Sequence, residues 1–169
     1  MNKVSDFKQG MRLLTGAVSV ITTEHEGRKY GLTATSVCSL SVDPPMLVVC
    51  VNRDASAYKP TLASGRFCVN VINHDDIDIA KCFSSREEHH VKQRFALGRW
   101  TKESTGAPLL ESSLVSFDCL LKDHFSMATH SIFVGLVEAS TVRPEGSALV
   151  YLDGAFRPLP IRAPAMAFA

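Results

Sequence analysis

Hydroxyl side chains recur through Thr33-Ala34-Thr35-Ser36-Val37-Cys38-Ser39, and the apolar run Met46-Leu47-Val48-Val49-Cys50-Val51 a few residues later ends in Asn52. In a strand successive side chains point to opposite faces, so Thr33 and Thr35 share one side while Ala34, Ser36 and Cys38 share the other. A row of hydroxyls and backbone amides beside a buried strand suits a flat polar ligand held by many neutral hydrogen bonds. His130 is the sharpest single candidate for chemistry. It follows Ala128-Thr129 and precedes Ile132-Phe133-Val134, which places it at a strand entrance where a side chain can face a cleft; a lone histidine is otherwise a structural hydrogen-bonding group. Other chemistries are poorly supplied. There is no G-x-G-x-x-G and no P-loop, so a nucleotide would have to be held by hydroxyls and cations. No G-x-S-x-G elbow offers a serine nucleophile. His89 and His90 are adjacent and cannot both face one metal from a strand or helix, His124 stands alone, and no His, Cys or carboxylate set has metal-site spacing. No metal is expected.

The elements that must position these groups are mostly strands. Val4, Phe7, Met11 and Leu14 recur at steps of three and four, predicting a short amphipathic helix that packs on the body as a lid. Ala17–Thr23 is rich in β-branched residues and Glu26-Gly27 supplies a turn, so a hairpin leads into the central stretch. That stretch, Tyr30–Asn52, reads as two strands separated by Asp43-Pro44-Pro45, where two prolines remove ladder donors. A broken helix stops at Gly65, Phe67–Ile72 is a strand, and Asn73 caps a helix with Ile77, Ile79, Ala80 and Phe83 on one side. Ser84–Phe95 is dense in charge and reads as a surface loop with a short helix. Strand character returns at Leu114–Lys122, at Thr129–Val142 with Gly135 as a bulge or close approach, and at Ala148–Leu152, before the Asp153-Gly154 turn. Six or seven strands with two or three short helices and no βαβ rhythm argue an antiparallel barrel.

Composition narrows the function classes. A chain of 169 residues is the size of one domain, with a single core. A formal net charge of +1 gives no field to steer nucleic acid or an acidic membrane. Five cysteines without a C-x-x-C spacing read as reduced thiols, most of them buried. The first residues lack the apolar core of a signal peptide and no run is long enough to span a bilayer, so a cytoplasmic location is expected.

Several stretches, in order, resemble the flavin-reductase-like family with the FMN-binding split barrel: Gly16-Ala17-Val18-Ser19-Val20-Ile21-Thr22-Thr23, the central Tyr30–Asn52, Ser64-Gly65-Arg66-Phe67-Cys68-Val69-Asn70-Val71, Thr129-His130-Ser131-Ile132-Phe133-Val134-Gly135 and Leu149-Val150-Tyr151-Leu152-Asp153-Gly154. The likeness runs from about Met11 to Phe156. It implies a mainly β split-barrel domain over residues 1–157 with short flanking helices, followed by a proline-spaced tail, 158–169, that is either frayed or docked on a partner subunit.

By position in the family pattern, Thr35, Ser36, Val37 and Cys38 would line the flavin ribityl chain and ring, Val51 and Asn52 would approach the ring edge, and Ser56 would hold the phosphate end. Ser84, Ser85 and Arg86, with Lys92 or Arg94 close by, would complete the phosphate site; hydroxyls and a guanidinium match the oxygens of a dianion. The family histidine maps to His130, beside the nicotinamide and flavin rings, with Ala128 where a glycine is usual. Tyr151 and Asp153 would help to hold the nicotinamide. The resemblance implies a homodimer that binds FMN, or exchangeable FAD, and takes hydride from NADH or NADPH, supplying reduced flavin to a partner monooxygenase. A second reading keeps the flavin bound and reduces a bulky acceptor such as a cob(II)alamin-type corrinoid. A third, outside catalysis, is a flavin-binding module that transfers no hydride.

Overall fold

The computed structural model describes residues 2–85, 87–143 and 145–161. Helix α1, Lys3–Arg12, is capped by the Asn2 side chain and buries none of its residues. The expected lid is therefore absent as a packed element: Val4, Phe7, Met11 and Leu14 all remain exposed. What tethers α1 is polar, with Arg12 Nε 3.1 Å from Asp153 Oδ1 and the Asp153 amide donating to the Arg12 carbonyl at 2.6 Å.

Strands β1 (Gly16–Ala17), β2 (Ser19–His25), β3 (Arg28–Ala34), β4 (Val37–Val42) and β5 (Pro45–Asn52) follow. The β2–β3 hairpin turns through Glu26 and Gly27, both at positive φ (51° and 71°), as a two-residue hairpin requires. The central stretch is three strands, not two, because the chain breaks at Thr35-Ser36 between β3 and β4. Helix α2 (Tyr58–Ser64) ends on Gly65 in the left-handed region, β6 is Arg66–Val71, and a 3-10 turn (His74–Asp76) opens α3 (Ile77–Ser84). After α4 (Glu88–Gln93) come the short pair β7 (Trp100–Lys102) and β8 (Pro108–Leu110), then the long β9 (Val115–Met127) and β10 (His130–Val142). Strand β11 (Ser147–Leu152) turns at Asp153-Gly154 into β12 (Ala155–Pro160), so Pro158, Leu159 and Pro160 pair with β11.

The main sheet has seven antiparallel strands in the order β3-β2-β6-β9-β10-β5-β4. Its two edges, β3 and β4, are consecutive in the chain with only Thr35 and Ser36 between them, so the sheet must curl until its edges meet. The barrel thus closes through a covalent seam, reinforced where the Cys50 amide donates to the Ser36 carbonyl at 3.0 Å. A three-stranded sheet, β1-β11-β12, extends from this body. Inside the barrel, Phe67, Phe133, Val49, Val51, Val69 and Cys119 are fully buried. Gly135 is a close approach, as expected: a Cβ there would lie 2.5 Å from Phe67 Cζ, and the β9–β10 register shifts between Val134 and Gly135. A second cluster, with Val18, Val20, Ile72, Phe83 and Leu149, packs α3 on the outside. Adjacent β2 residues Val20 and Ile21 fall in different clusters, so β2 is covered on both faces.

Candidate functional site

A cleft of about 410 Å³ opens where three segments meet: β3 at Gly31–Thr33, the loop Asn52–Ser56 that leaves β5, and the end of α3 at Phe83–Ser85. Arg94, just past the end of α4, closes it. The absence of a side chain at Gly31 makes the meeting possible, since a Cβ there would lie 2.5 Å from Phe83 Cε1. Arg94 is 8 % exposed. Its Nη1 donates to the Gly31 carbonyl and to Ser56 Oγ, both at 3.0 Å, and its Nη2 donates to the Ser85 carbonyl at 2.7 Å. Nε reaches the Cys82 carbonyl at 3.4 Å, and the guanidinium lies 5.7 Å from the Phe83 ring centre. Burial lowers the Arg94 pKa from its ordinary value, opposed in part by Cys82. Among the described residues no carboxylate forms an ion pair with Arg94. Every hydrogen-bond partner is neutral; Asp54 also lines the cleft but makes no ion pair with the guanidinium, so the wall carries a largely desolvated cation next to a serine hydroxyl, and its natural complement is an anion.

The sequence-predicted residues distribute unevenly about this cleft. Asn52, Ser56, Ser84 and Ser85 all line it. Ser85 Oγ bonds His90 Nδ1 at 2.9 Å and accepts from the Glu87 amide at 3.1 Å, whereas Ser84 Oγ donates back to the Lys81 carbonyl at 2.8 Å. Arg86 lies outside the described residues. Lys92 is paired with Glu88 at 2.7 Å, and Arg94 rather than Lys92 reaches into the cleft. Lys92 and Glu88 stand one turn apart on the exposed face of α4, whereas the chain turns inward once the helix ends, burying Phe95 in part against Phe83 (ring centres 5.1 Å apart).

Thr35 and Ser36 form the exposed barrel seam, with Thr35 pressed against Gly16, where a Cβ would stand 2.9 Å from Thr35 Cβ. Gly16 pairs with Tyr151 across β1–β11, so these residues form a neighbouring group outside the Arg94 cleft. The Tyr151 ring rests against Phe156, centres 5.3 Å apart. Val37 and Cys38 line a different, largely apolar cleft of about 430 Å³, with Met46, Leu47, Phe117 and Val137. The Val51 side chain is fully buried in the barrel core, so any approach to a ligand is by its main chain.

His130 is the first residue of β10 and sits directly opposite Asn52 of β5. This cross-strand pair joins the histidine to a residue of the cleft. Ala128 takes φ 49°, so it adopts the left-handed turn that a glycine would favour, and the hairpin survives the replacement. Thr129 Oγ1 bonds His130 Nδ1 at 2.9 Å. The Arg53 amide donates to the Thr129 carbonyl at 3.0 Å and Arg53 Nη1 to the Ala128 carbonyl at 3.3 Å. Tyr58 adds a further tie through Ser131 Oγ at 3.0 Å. The segment Asn52–Tyr58 therefore touches both Arg94, through Ser56, and the His130 hairpin, a role for Tyr58 that its place in a broken helix did not announce. The expectation that His89 and His90 cannot both face one metal fails: their ring centres are 3.9 Å apart, the two Nδ1 atoms lie 3.5 and 3.6 Å from Glu87 Oε2, and the ligand atoms of the three side chains lie within 4.8 Å of one another. A shared carboxylate ahead of the first turn draws both rings to one side.

This curled sheet with its seam and polar cleft defines a family. The flavin reductase like domain model matches residues 11–160, and the chain belongs to that family. Among its relatives it is 39 % identical over 160 residues to the FMN reductase (NADH) RutF of Methylorubrum populi, covering 95 % of this chain and 78 % of that one. It is 32 % identical to BorF, the flavin reductase component of a bacterial two-component tryptophan halogenase, with a TM-score of 0.86 over 94 % of this chain and 99 % of BorF. Component B of nitrilotriacetate monooxygenase from Mycobacterium thermoresistibile is 28 % identical, with a TM-score of 0.86 over 97 % and 92 % of the two chains.

Proposed function

We propose that the protein is an NADH-dependent flavin reductase that binds FMN, with FAD as an alternative, and hands reduced flavin to a partner monooxygenase component. The observation that carries this reading is Arg94: a buried guanidinium without a carboxylate, bonded to Ser56 and to the Ser85 carbonyl at the end of a cleft, fits the phosphate of a flavin mononucleotide. The names of the relatives and structural neighbours point the same way.

The flavin, when bound, supplies the hydride acceptor, and NADH supplies the hydride. The chain's part is placement. Ser56, Ser85 and Arg94 fix the phosphate end, and the hydroxyls of the Thr35-Ser36 seam with Asn52 line the path toward His130. His130 orients the nicotinamide without exchanging a proton, and Tyr151 and Asp153 help to hold it. Holding the two rings in register accounts for the rate, because orientation alone removes a large share of a bimolecular barrier.

A homodimer and a cytoplasmic location complete the proposal. The exposed apolar residues Phe125, Met127 and Ile132 along the β9–β10 hairpin support a subunit contact, and among the described residues no helix is long and apolar enough to cross a membrane. The test is an anaerobic titration of FMN-loaded protein with NADH. Loss of the oxidised flavin absorbance is expected, and reduced flavin should pass an ultrafiltration membrane. A bound flavin that neither NADH nor NADPH bleaches would leave a binding module instead.

A further inference from the structure

Beside the Arg94 end of the cleft the chain gathers ligand atoms that hydride transfer does not use. Glu87, His89 and His90 bring a carboxylate oxygen and two imidazole nitrogens within 4.8 Å of one another. His89 Nδ1 and His90 Nδ1 lie 3.5 and 3.6 Å from the same atom, Glu87 Oε2. Ligand atoms held about 2.1 Å from a tetrahedral ion stand about 3.4 Å apart, so the spacing is already close to that of a coordination shell. Among the described residues the Glu87 carboxylate pairs only with these imidazoles, and Lys92 is taken by Glu88 at 2.7 Å. Glu87 and His89 are exposed and His90 is half-buried, so an ion can enter without any element moving.

Two imidazoles and a carboxylate form one of the three-ligand sets that bind zinc and leave a fourth position open, and imidazole also suits copper, nickel and iron. The set touches the cleft as well. Ser85 lines the cleft, and its Oγ lies 2.9 Å from His90 Nδ1, the nitrogen that faces Glu87. An ion on that nitrogen displaces the hydroxyl, frees Ser85 to turn toward an anion in the cleft, and sets a divalent charge nearby. We infer that Glu87, His89 and His90 form a site for a divalent transition-metal ion of the zinc type, linked through Ser85 to the phosphate end of the cleft. The site stands on these three side chains alone, whereas the linkage rests on the flavin reading above.

The test begins with flavin-free protein, titrated with Zn²⁺ by calorimetry and with Co²⁺ by visible absorption. One ion per chain is expected, and His89→Ala and Glu87→Gln should each weaken it by about tenfold or more, since even a partner outside the coordination shell is worth about that much. The site is overturned by no binding, by binding that both variants retain, or by a near-ultraviolet thiolate-to-cobalt band, which would place the ion on an exposed thiol such as Cys38. The linkage is read from flavin fluorescence. Saturating Zn²⁺ should tighten FMN by about fivefold, the low end of usual coupling between sites, and leave riboflavin, which lacks the phosphate, unchanged. The His89 side chain does not line the cleft, so His89→Ala should bind FMN within about twofold of the wild type and lose the response to Zn²⁺. A response that persists in His89→Ala, equal responses for FMN and riboflavin, or none for either would overturn the linkage. A protein that binds Zn²⁺ but no FMN would instead strike the flavin reading and leave the metal site standing.

Discussion

The barrel interior and the wall of the Arg94 cleft are both shielded from water, yet they treat charge in opposite ways. Around Phe67 and Phe133 the strands present apolar side chains, and even the Cys119 thiol is held neutral, its pKa pushed up to about 12 by burial and then by the neighbouring Asp118. In the cleft wall a guanidinium is nearly as well covered but keeps its charge, because three backbone carbonyls and a serine hydroxyl replace the water it has lost. Between inner strands the ladders take up most carbonyls, leaving few for a buried cation. At the cleft the edge strand β3 offers the Gly31 carbonyl, the end of α3 offers those of Cys82 and Ser85, and the loop after β5 adds the Ser56 hydroxyl. The difference assigns stability to the first region and ligand recognition to the second.

Removing the ring that anchors the interior should disturb both regions at once. Phe133 packs against Tyr58 and Phe67, with ring centres 5.7 and 6.2 Å apart, so Phe133→Ala should cost about 3–5 kcal/mol of stability by denaturant unfolding. Removing the buried cation should be selective. Arg94→Ala is expected to weaken FMN by about 100-fold, the loss of a charge-assisted contact of roughly 2–3 kcal/mol, and to leave riboflavin, which lacks the phosphate, nearly unchanged. Arg94→Lys should recover part of the FMN affinity, since it restores the charge but not the guanidinium's several donors. Equal losses for FMN and riboflavin would mean that Arg94 holds the wall and not the phosphate.

The interior's intolerance of charge should appear in alkali. The folded-state pKa of Cys119 lies near 12 against an ordinary value of 9.0, so above about pH 9 the unfolded chain releases a proton that the folded chain keeps. Stability should therefore be complete below pH 9 and fall toward pH 12, with a slope of about 1.4 kcal/mol per pH unit from this group. Cys119→Ala should flatten that limb of the unfolding free energy measured from pH 8 to 11. Cys68, raised in the same direction by burial, should steepen it in the parent chain.

How far each region was legible follows from what fixes it. Hairpin turns at Glu26-Gly27 and Asp153-Gly154 are set by local backbone preference, and the close approach at Gly135 by a missing side chain, so the sequence announces all three. The seam was hidden: Thr35 and Ser36 suit a strand, no glycine or proline marks the break, and only the curling of the whole sheet imposes it. For the same reason Thr35-Ser36-Val37-Cys38 reads as one lining although Val37 and Cys38 turn to a separate apolar cleft. Asn52, Ser56, Ser84 and Ser85 do converge, but Lys92 and Arg94 could be ranked only by knowing where α4 ends. The apolar stripe of α1 promised a packed lid, and nothing in its own residues shows that it stays exposed.

Tyr58 gives the finest division between the two regions because it belongs to both. Its ring stacks on Phe133 inside the barrel, while its hydroxyl lies 3.0 Å from Ser131 Oγ, which in turn lies 2.9 Å from Ser126 Oγ, so that it ties both arms of the His130 hairpin to the segment that carries Ser56. Tyr58→Phe keeps the ring and removes only the tie. A loss of about 1 kcal/mol in stability is expected from one buried hydrogen bond, with FMN affinity unchanged because Arg94 and Ser56 are untouched. The KM for NADH should rise several-fold, since the hairpin that presents His130 loses a fixed point. A Tyr58→Phe protein that melts earlier but keeps the parent KM for NADH would confine Tyr58 to the interior and dissolve the link between the two regions.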